Sequence, residues 1–290
     1  PKGASLPRRE NRKGSVRMND IRKNIADLLE AVRENVPLIH HITNYVTVND
    51  VANVTLAIGA SPIMADAIEE AADIASVSSA LVLNIGTLNR SAVESMLAAG
   101  KRANALKVPV VLDPVGAGAS HLRNAETNRI TQEVQIAILR GNLSEISFVA
   151  GLSATTKGVD VSSGDAKNDN VCVAQAAAEK LGCIAAVTGA VDVISDGVHT
   201  IKIRNGHPML ARVTGTGCMA SALAGAFAGA CKGDYFTAAA AAVSAMGIAG
   251  EIACAKAGNV GTASFRIALI DALSTLGAQE FAQRSKIDEV

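Results

Sequence analysis

The stretch Val213-Thr214-Gly215-Thr216-Gly217-Cys218-Met219-Ala220 carries the densest chemical signal in the chain. Glycines and threonines stand directly before an Ala-rich helical run, so free N–H groups at a helix start face an open, glycine-lined turn. Such a nest suits a phosphoryl group in transfer, whose outer oxygens gain negative charge. Cys218 stands at its mouth. The same residues also fit a glycine turn that packs a helix on a sheet, with Cys218 as a small apolar filler. Asp113 and Glu145 each lie just past an apolar run. Magnesium that also holds phosphate takes one or two carboxylates from a protein; a turn former before Pro114 and a helix-start Glu are the structural alternatives. Arg140 is placed either to meet a phosphate or to cap a surface. His40 and His41, followed by Thr43-Asn44, offer hydrogen bonds to a small polar ligand, with no third residue at metal-ligand spacing.

These residues need a scaffold that brings them to one edge. Apolar runs at Ala80–Ile85, Val108–Leu112, Ala137–Leu139 and Ile184–Val187 read as strands buried on both faces. Helical stretches at Glu69–Val77, Ser91–Leu106 and Val171–Leu181 lie between them. The alternation predicts a three-layer α/β/α sandwich with a mostly parallel central sheet. Polar and glycine-rich turns follow the strands, where ligands of open α/β sheets bind. Val191–Ser195 and Val198–Ile203 flank Asp196-Gly197, a hairpin signal that predicts an antiparallel edge. A turn at Gly206-His207-Pro208 leads into a strand-like Met209–Val213, and helices are expected at Met219–Ala230, Thr237–Ala255 and Phe265–Leu276.

Bulk properties narrow the function. The chain has 290 residues and a formal net charge of zero, with aromatics at only 2%, which disfavours nucleic acid as a partner. No uninterrupted apolar run reaches membrane-span length. Five cysteines without C-x-x-C spacing suit reduced thiols in a cytoplasm. Residues 1–17 hold six basic side chains against Glu10 alone and read as a disordered leader, leaving 18–290 as one domain. The fingerprints of dinucleotide-binding dehydrogenases, P-loop enzymes, serine hydrolases and zincins are missing.

Seven segments in order resemble the hydroxyethylthiazole kinases: Ile39–Asn53, Gly59–Glu70, Leu81–Asn89, Val110–Ser120, Arg140–Ile146, Val187–Gly197 and Val213–Phe227. The resemblance implies a ribokinase-like fold without a separate lid and phosphorylation of the thiazole alcohol with ATP and magnesium, in thiamine salvage. It implies that Met64 and Asn44 hold the thiazole and that Gly215 lies against the substrate. By the same resemblance Arg140 and Thr188 bind ATP, Asp113 and Glu145 serve magnesium, and Cys218 with Gly215 and Gly217 forms the catalytic turn. Cys218 stands where most ribokinase-like kinases place an aspartate base, a substitution typical of the thiazole kinases. The family forms trimers, which implies sites at subunit interfaces, with Met64 and Asn44 meeting Gly215 and Cys218 across the boundary. The alternatives are a hydroxymethylpyrimidine kinase or an ATP-dependent dehydratase of hydrated nicotinamide cofactors, both of which carry Asp at that place, and a nucleotide-binding sensor without catalysis.

Overall fold

The computed structural model describes residues 18–152 and 166–290; the basic leader lies outside the described residues. Helix α1 (Met18–Asn35) buries Ile21, Ile25, Leu28, Leu29 and Val32, spaced at three and four residues along one face. Strand β1 (Leu38–Ile42) follows, then α2 (Val48–Ile58), β2 (Ser61–Met64), α3 (Ala71–Val77), β3 (Ala80–Asn84) and α4 (Arg90–Ala105). Next come β4 (Val110–Asp113), α5 (His121–Glu133), β5 (Ile138–Asn142), α6 (Leu143–Ala150), α7 (Ala166–Leu181) and β6 (Ile184–Thr188). The hairpin β7 (Asp192–Ser195) and β8 (Thr200–Ile203) breaks the alternation. The C-terminal third is α8 (Thr216–Ala230), α9 (Tyr235–Ala257), α10 (Thr262–Thr275), α11 (Ala278–Arg284) and a short β9 (Ile287–Glu289).

Among the described residues nine strands join one sheet in the order β2-β1-β3-β4-β5-β6-β7-β8-β9. Pairings from β2 to β6 are parallel and those from β6 to β9 antiparallel, as the alternation and the Asp196-Gly197 turn predict. One expectation fails: Pro208–Arg212 is a 3-10 helix rather than a strand. Pro208 has no N–H to give a ladder and its fixed φ suits a helix start, while the His207 side chain accepts from the Met209 N–H at 3.2 Å.

Side chains alternate across the sheet with period two. Leu81 and Leu83, Val110 and Leu112, and Ala185 and Val187 pack into the layer of α3 to α7. Val82, Val111, Ile138 and Ala186 pack into the opposite layer, with α1, α2 and α8 to α11. Helix α9 is long and apolar enough to cross a membrane, yet 78% of that window is buried inside the protein, as a core helix is. Small residues let α8 settle low on the sheet. A Cβ on Gly225 would lie 2.4 Å from Val82 Cγ2, so only glycine permits this approach.

Candidate active site

Period-two alternation decides what gathers at the carboxyl edge. Two residues past Val82, Val111, Ile138 and Ala186, on the same face, come Asn84, Asp113, Arg140 and Thr188. Register pairs Asn84 with Asp113 directly. Four neighbouring strands thus aim four polar side chains at the first turns of α8. From that helix Cys218 and Ser221, three residues apart and so on one face, point back at the sheet.

The contacts form one network. Asp113 Oδ2 accepts from Ser221 Oγ at 2.7 Å and from Asn84 Nδ2 at 3.0 Å, with Arg140 Nη1 at 3.7 Å. Arg140 Nη2 donates to Thr188 Oγ1 at 2.8 Å. Cys218 Sγ accepts from Asn44 Nδ2 at 3.1 Å and from Asn84 Nδ2 at 3.2 Å. Asn44 belongs to the same chain as Cys218, so this meeting needs no neighbouring subunit. The expectation that Asn44 and Cys218 come together across a trimer boundary is corrected, because β1 lies beside β3 under α8 and delivers Asn44 from within.

Two features prepare the start of α8 for an anion. Its N-cap, Gly215, has φ of +88° and no capping side chain, so the first N–H groups stay free. A Cβ there would also sit 2.5 Å from Thr47 Cγ2, which restricts the position to glycine twice over. A Cβ on Gly217 would lie 2.8 Å from Arg140 Nη1, which puts the guanidinium against the same turn. Positive charge from Arg140 and partial positive charge from the helix start converge there.

Asp113 is buried, and burial pushes its carboxyl up to about 6 against the opposing pull of Arg140 and Ser221. Among the described residues its Oδ1 has no hydrogen-bond partner, and neither does Arg140 Nε. An unpartnered carboxylate oxygen beside an anion-binding turn fits a divalent cation or its bound water. Glu145 is differently occupied. Its Oε1 accepts from the Gly116 N–H at 2.8 Å and its Oε2 from the Asn142 N–H at 2.9 Å, while Asn142 caps Glu145 in return. It therefore holds the turn after β4 to the start of α6, with only its remaining lone pairs to offer a cation through water.

Of the residues singled out in the sequence, Asn44, Asp113, Arg140, Thr188, Gly217 and Cys218 come together, and Gly215 stands beside them. Met64 ends β2 at the sheet margin, opposite His41, and packs half-buried on the α8-side core. His40 and His41 face opposite sides of β1. His40 Nε2 contacts the Ala65 carbonyl at 2.6 Å and His41 Nε2 contacts Thr55 Oγ1 at 3.2 Å; burial lowers both, His41 to about 3. Both are buried in β1, and their Nδ1 atoms have no hydrogen-bond partner among the described residues. Arg123, unmarked in the sequence, donates to the carbonyls of Ile85, Gly86 and Val115 at 2.7, 2.8 and 2.6 Å, binding the turns after β3 and β4 together. Asn84 heads one of the polar turns that the sequence places after the strands, Asn84-Ile85-Gly86-Thr87, without a role of its own there, and the sequence gives none to Asp192. Asp192 is buried, accepts from the Gly189 N–H at 2.8 Å, and is raised to about 7 by burial despite Arg140.

The model of the hydroxyethylthiazole kinase family matches residues 29–279. The chain is similar to the hydroxyethylthiazole kinase of Ruminiclostridium cellulolyticum, 60% identical over 94% of this chain and 100% of that one. It is also similar to that of Clostridium beijerinckii, at 57% over 94% and 99%. The solved hydroxyethylthiazole kinase structure from Pyrococcus horikoshii OT3 matches with a TM-score of 0.83 and 40% identity, covering 92% of this chain and 99% of that one. A ribokinase-like superfamily protein from Enterococcus faecalis matches at 13% identity and a TM-score of 0.59, covering 87% of this chain and 95% of that one, which speaks for the fold.

Proposed function

The chain belongs to the hydroxyethylthiazole kinase family, and on that premise we propose that it transfers the γ-phosphoryl group of ATP to the hydroxyl of hydroxyethylthiazole, for thiamine salvage in the cytoplasm. The observation that carries the site assignment is the convergence of Arg140, the free start of α8 and the unpartnered Asp113 Oδ1 on one turn.

Each residue then has a role. Arg140, held by Thr188, and the first N–H groups of α8 bind the phosphates and stabilise charge on the moving group. Asp113, with Glu145 through water, would hold magnesium, which supplies neutralisation of the phosphate charge when bound. Gly215 and Gly217 keep Cβ atoms out of the phosphoryl path. Cys218 positions the alcohol beside the turn, and little is asked of a base, because the alcohol's proton leaves late in a loose transition state. Asn44 orients Cys218 from one side, and Met64 lines the thiazole at the sheet margin.

Such a site must exclude water or hydrolyse its nucleotide. We assign that task to a second subunit of a homotrimer. Tyr45 and Val46, next to Asn44, are 76% and 59% exposed, an apolar rim that suits cover by a neighbour. A light-scattering mass of one chain for the active species would contradict this.

The function is tested by coupled ADP release across a panel of small alcohols. Release is expected with hydroxyethylthiazole and magnesium present, with neither hydroxymethylpyrimidine nor water as an effective acceptor. Acceptor-independent release would remove the reading.

A further inference from the structure

Asn84 has no part in the roles assigned above. It ends β3, is 2% exposed, and makes every hydrogen bond an amide can make. Its Nδ2 donates to Asp113 Oδ2 at 3.0 Å and to Cys218 Sγ at 3.2 Å. Its Oδ1 accepts from Asn44 Nδ2 at 3.0 Å and from the Gly86 N–H at 2.9 Å. The partners dictate the amide's orientation. A flipped amide would set its oxygen against a carboxylate and a sulfur, and its NH2 against a backbone N–H.

We infer that Asn84 is a positioning residue that ties Cys218 to Asp113 and so sets the spacing between the thiol and the carboxylate at the carboxyl edge. Both amide contacts make Sγ the acceptor, one from Asn84 and one from Asn44, so the thiol's own hydrogen faces away from the asparagines. The same Nδ2 fixes Asp113 Oδ2, which leaves Oδ1 as the oxygen free for a cation. No other side chain of this size fits. Aspartate would meet two acceptors with no donor, and leucine would strand four polar partners in a buried place. What this does for catalysis rests on the kinase reading; the linkage itself does not.

A double-mutant cycle tests it. Asn84→Ala is expected to lower kcat on the order of 10²-fold, as misplacement of a reacting group does, with KM for ATP changed by less than about threefold. In a Cys218→Ala background the same change should cost less than about threefold, since residues acting through one another are not additive. Equal factors in both backgrounds would overturn the inference. Asn84→Asp, which keeps the volume and loses both donors, repeats the cycle if the alanine variant does not fold. The thermal midpoint, read for Asn84 against Cys218→Ala and against Asp113→Ala, needs no substrate. Should the parent prove inactive on hydroxyethylthiazole, the function reading fails and this thermal cycle decides alone: coupling with both partners supports the linkage, and additivity overturns it.

Discussion

Asp192 opens strand β7 and Asp196 follows its end, and the two carboxyls, four residues apart, are pushed in opposite directions. Burial raises Asp192 to about 7, and one backbone N–H from Gly189 with the distant charge of Arg140 only partly offsets it. Burial also acts on Asp196, but the His199 ring at 3.0 Å and the N–H groups of Val198 and His199 at 2.8 and 2.6 Å outweigh it and lower the carboxyl. The wider surroundings differ in the same way. Around the hairpin turn Ser195 Oγ bonds Thr200 Oγ1 and accepts from the Gly197 N–H, and Thr200 Oγ1 accepts from Gln175, so this cluster is satisfied by its own neighbours. At the carboxyl edge Asp113 Oδ1 and Arg140 Nε are buried and unpartnered. A closed polar cluster holds a turn. An open one, assembled from four strands and a helix at a cost in stability, waits for a partner from outside.

The largest test of that contrast is Asp113→Asn. Turnover should fall on the order of 10²-fold or more, since the carboxylate that faces the phosphates is gone. Stability should move the other way. The folded carboxyl titrates near 6 against an ordinary value of 3.8, so the folded state binds the extra proton between those values. Stability is therefore lost as pH rises through about 6, and the asparagine variant escapes this loss. At pH 8 its unfolding free energy should exceed the parent's by an amount on the order of 2–3 kcal/mol, read as a higher midpoint, shrinking towards pH 4. A lower midpoint at pH 8 would mean that the open cluster is not strained by its charge.

The next test lifts the helix that closes the site. Gly225→Val puts branched carbons where Val82 already sits, and should cost about 1–3 kcal/mol of stability. It should also lower kcat, because Cys218 rises with α8 away from Asn84; an active variant with unchanged kcat would show that the depth of α8 is not what positions Cys218. On the closed side, Asp196→Ala should cost about 1–2 kcal/mol in urea unfolding and leave kcat unchanged. A further test concerns His41, away from both clusters. Its folded value near 3 lies below the ordinary 6.5, so its contribution is present above 6.5 and is lost as pH falls below it. His41→Gln should flatten the loss of midpoint between pH 6.5 and 5, and an unchanged slope would remove His41 as its source.

Much of this was legible before any coordinates. The runs ALVLN and VVLD became β3 and β4 because buried parallel strands leave continuous apolar signatures. β1 is hidden by His40 and His41, which look polar yet are buried, each with only its Nε2 hydrogen-bonded. β2, with Pro62 and four residues, and β9, with three, have too little sequence to signal and exist through their neighbours. The reactive glycine turn, Asp113 and Arg140 stood out by residue type. Asn84 did not, although parity along ALVLN already set it on the face of Val82, and Ser221 lay one helical turn past Cys218. Glu145 reads both towards magnesium and as a helix-start residue, and the second reading is the one seen, as the capping box with Asn142. Which glycine lets α8 descend is a matter of depth between layers, and periodicity carries no depth.

On the proposed assignment the open cluster, and not the closed one, transfers phosphate to the thiazole alcohol. Phosphorus NMR of the parent, Asp113→Asn and Asp196→Ala proteins, each with ATP, magnesium and hydroxyethylthiazole, measures this directly. A phosphomonoester resonance should grow at the expense of the γ-phosphorus in the parent and in Asp196→Ala at equal rates, and should be absent over the same period in Asp113→Asn. Monoester formation by Asp113→Asn at the parent's rate, or inorganic phosphate in place of the monoester in the parent, would contradict the claim.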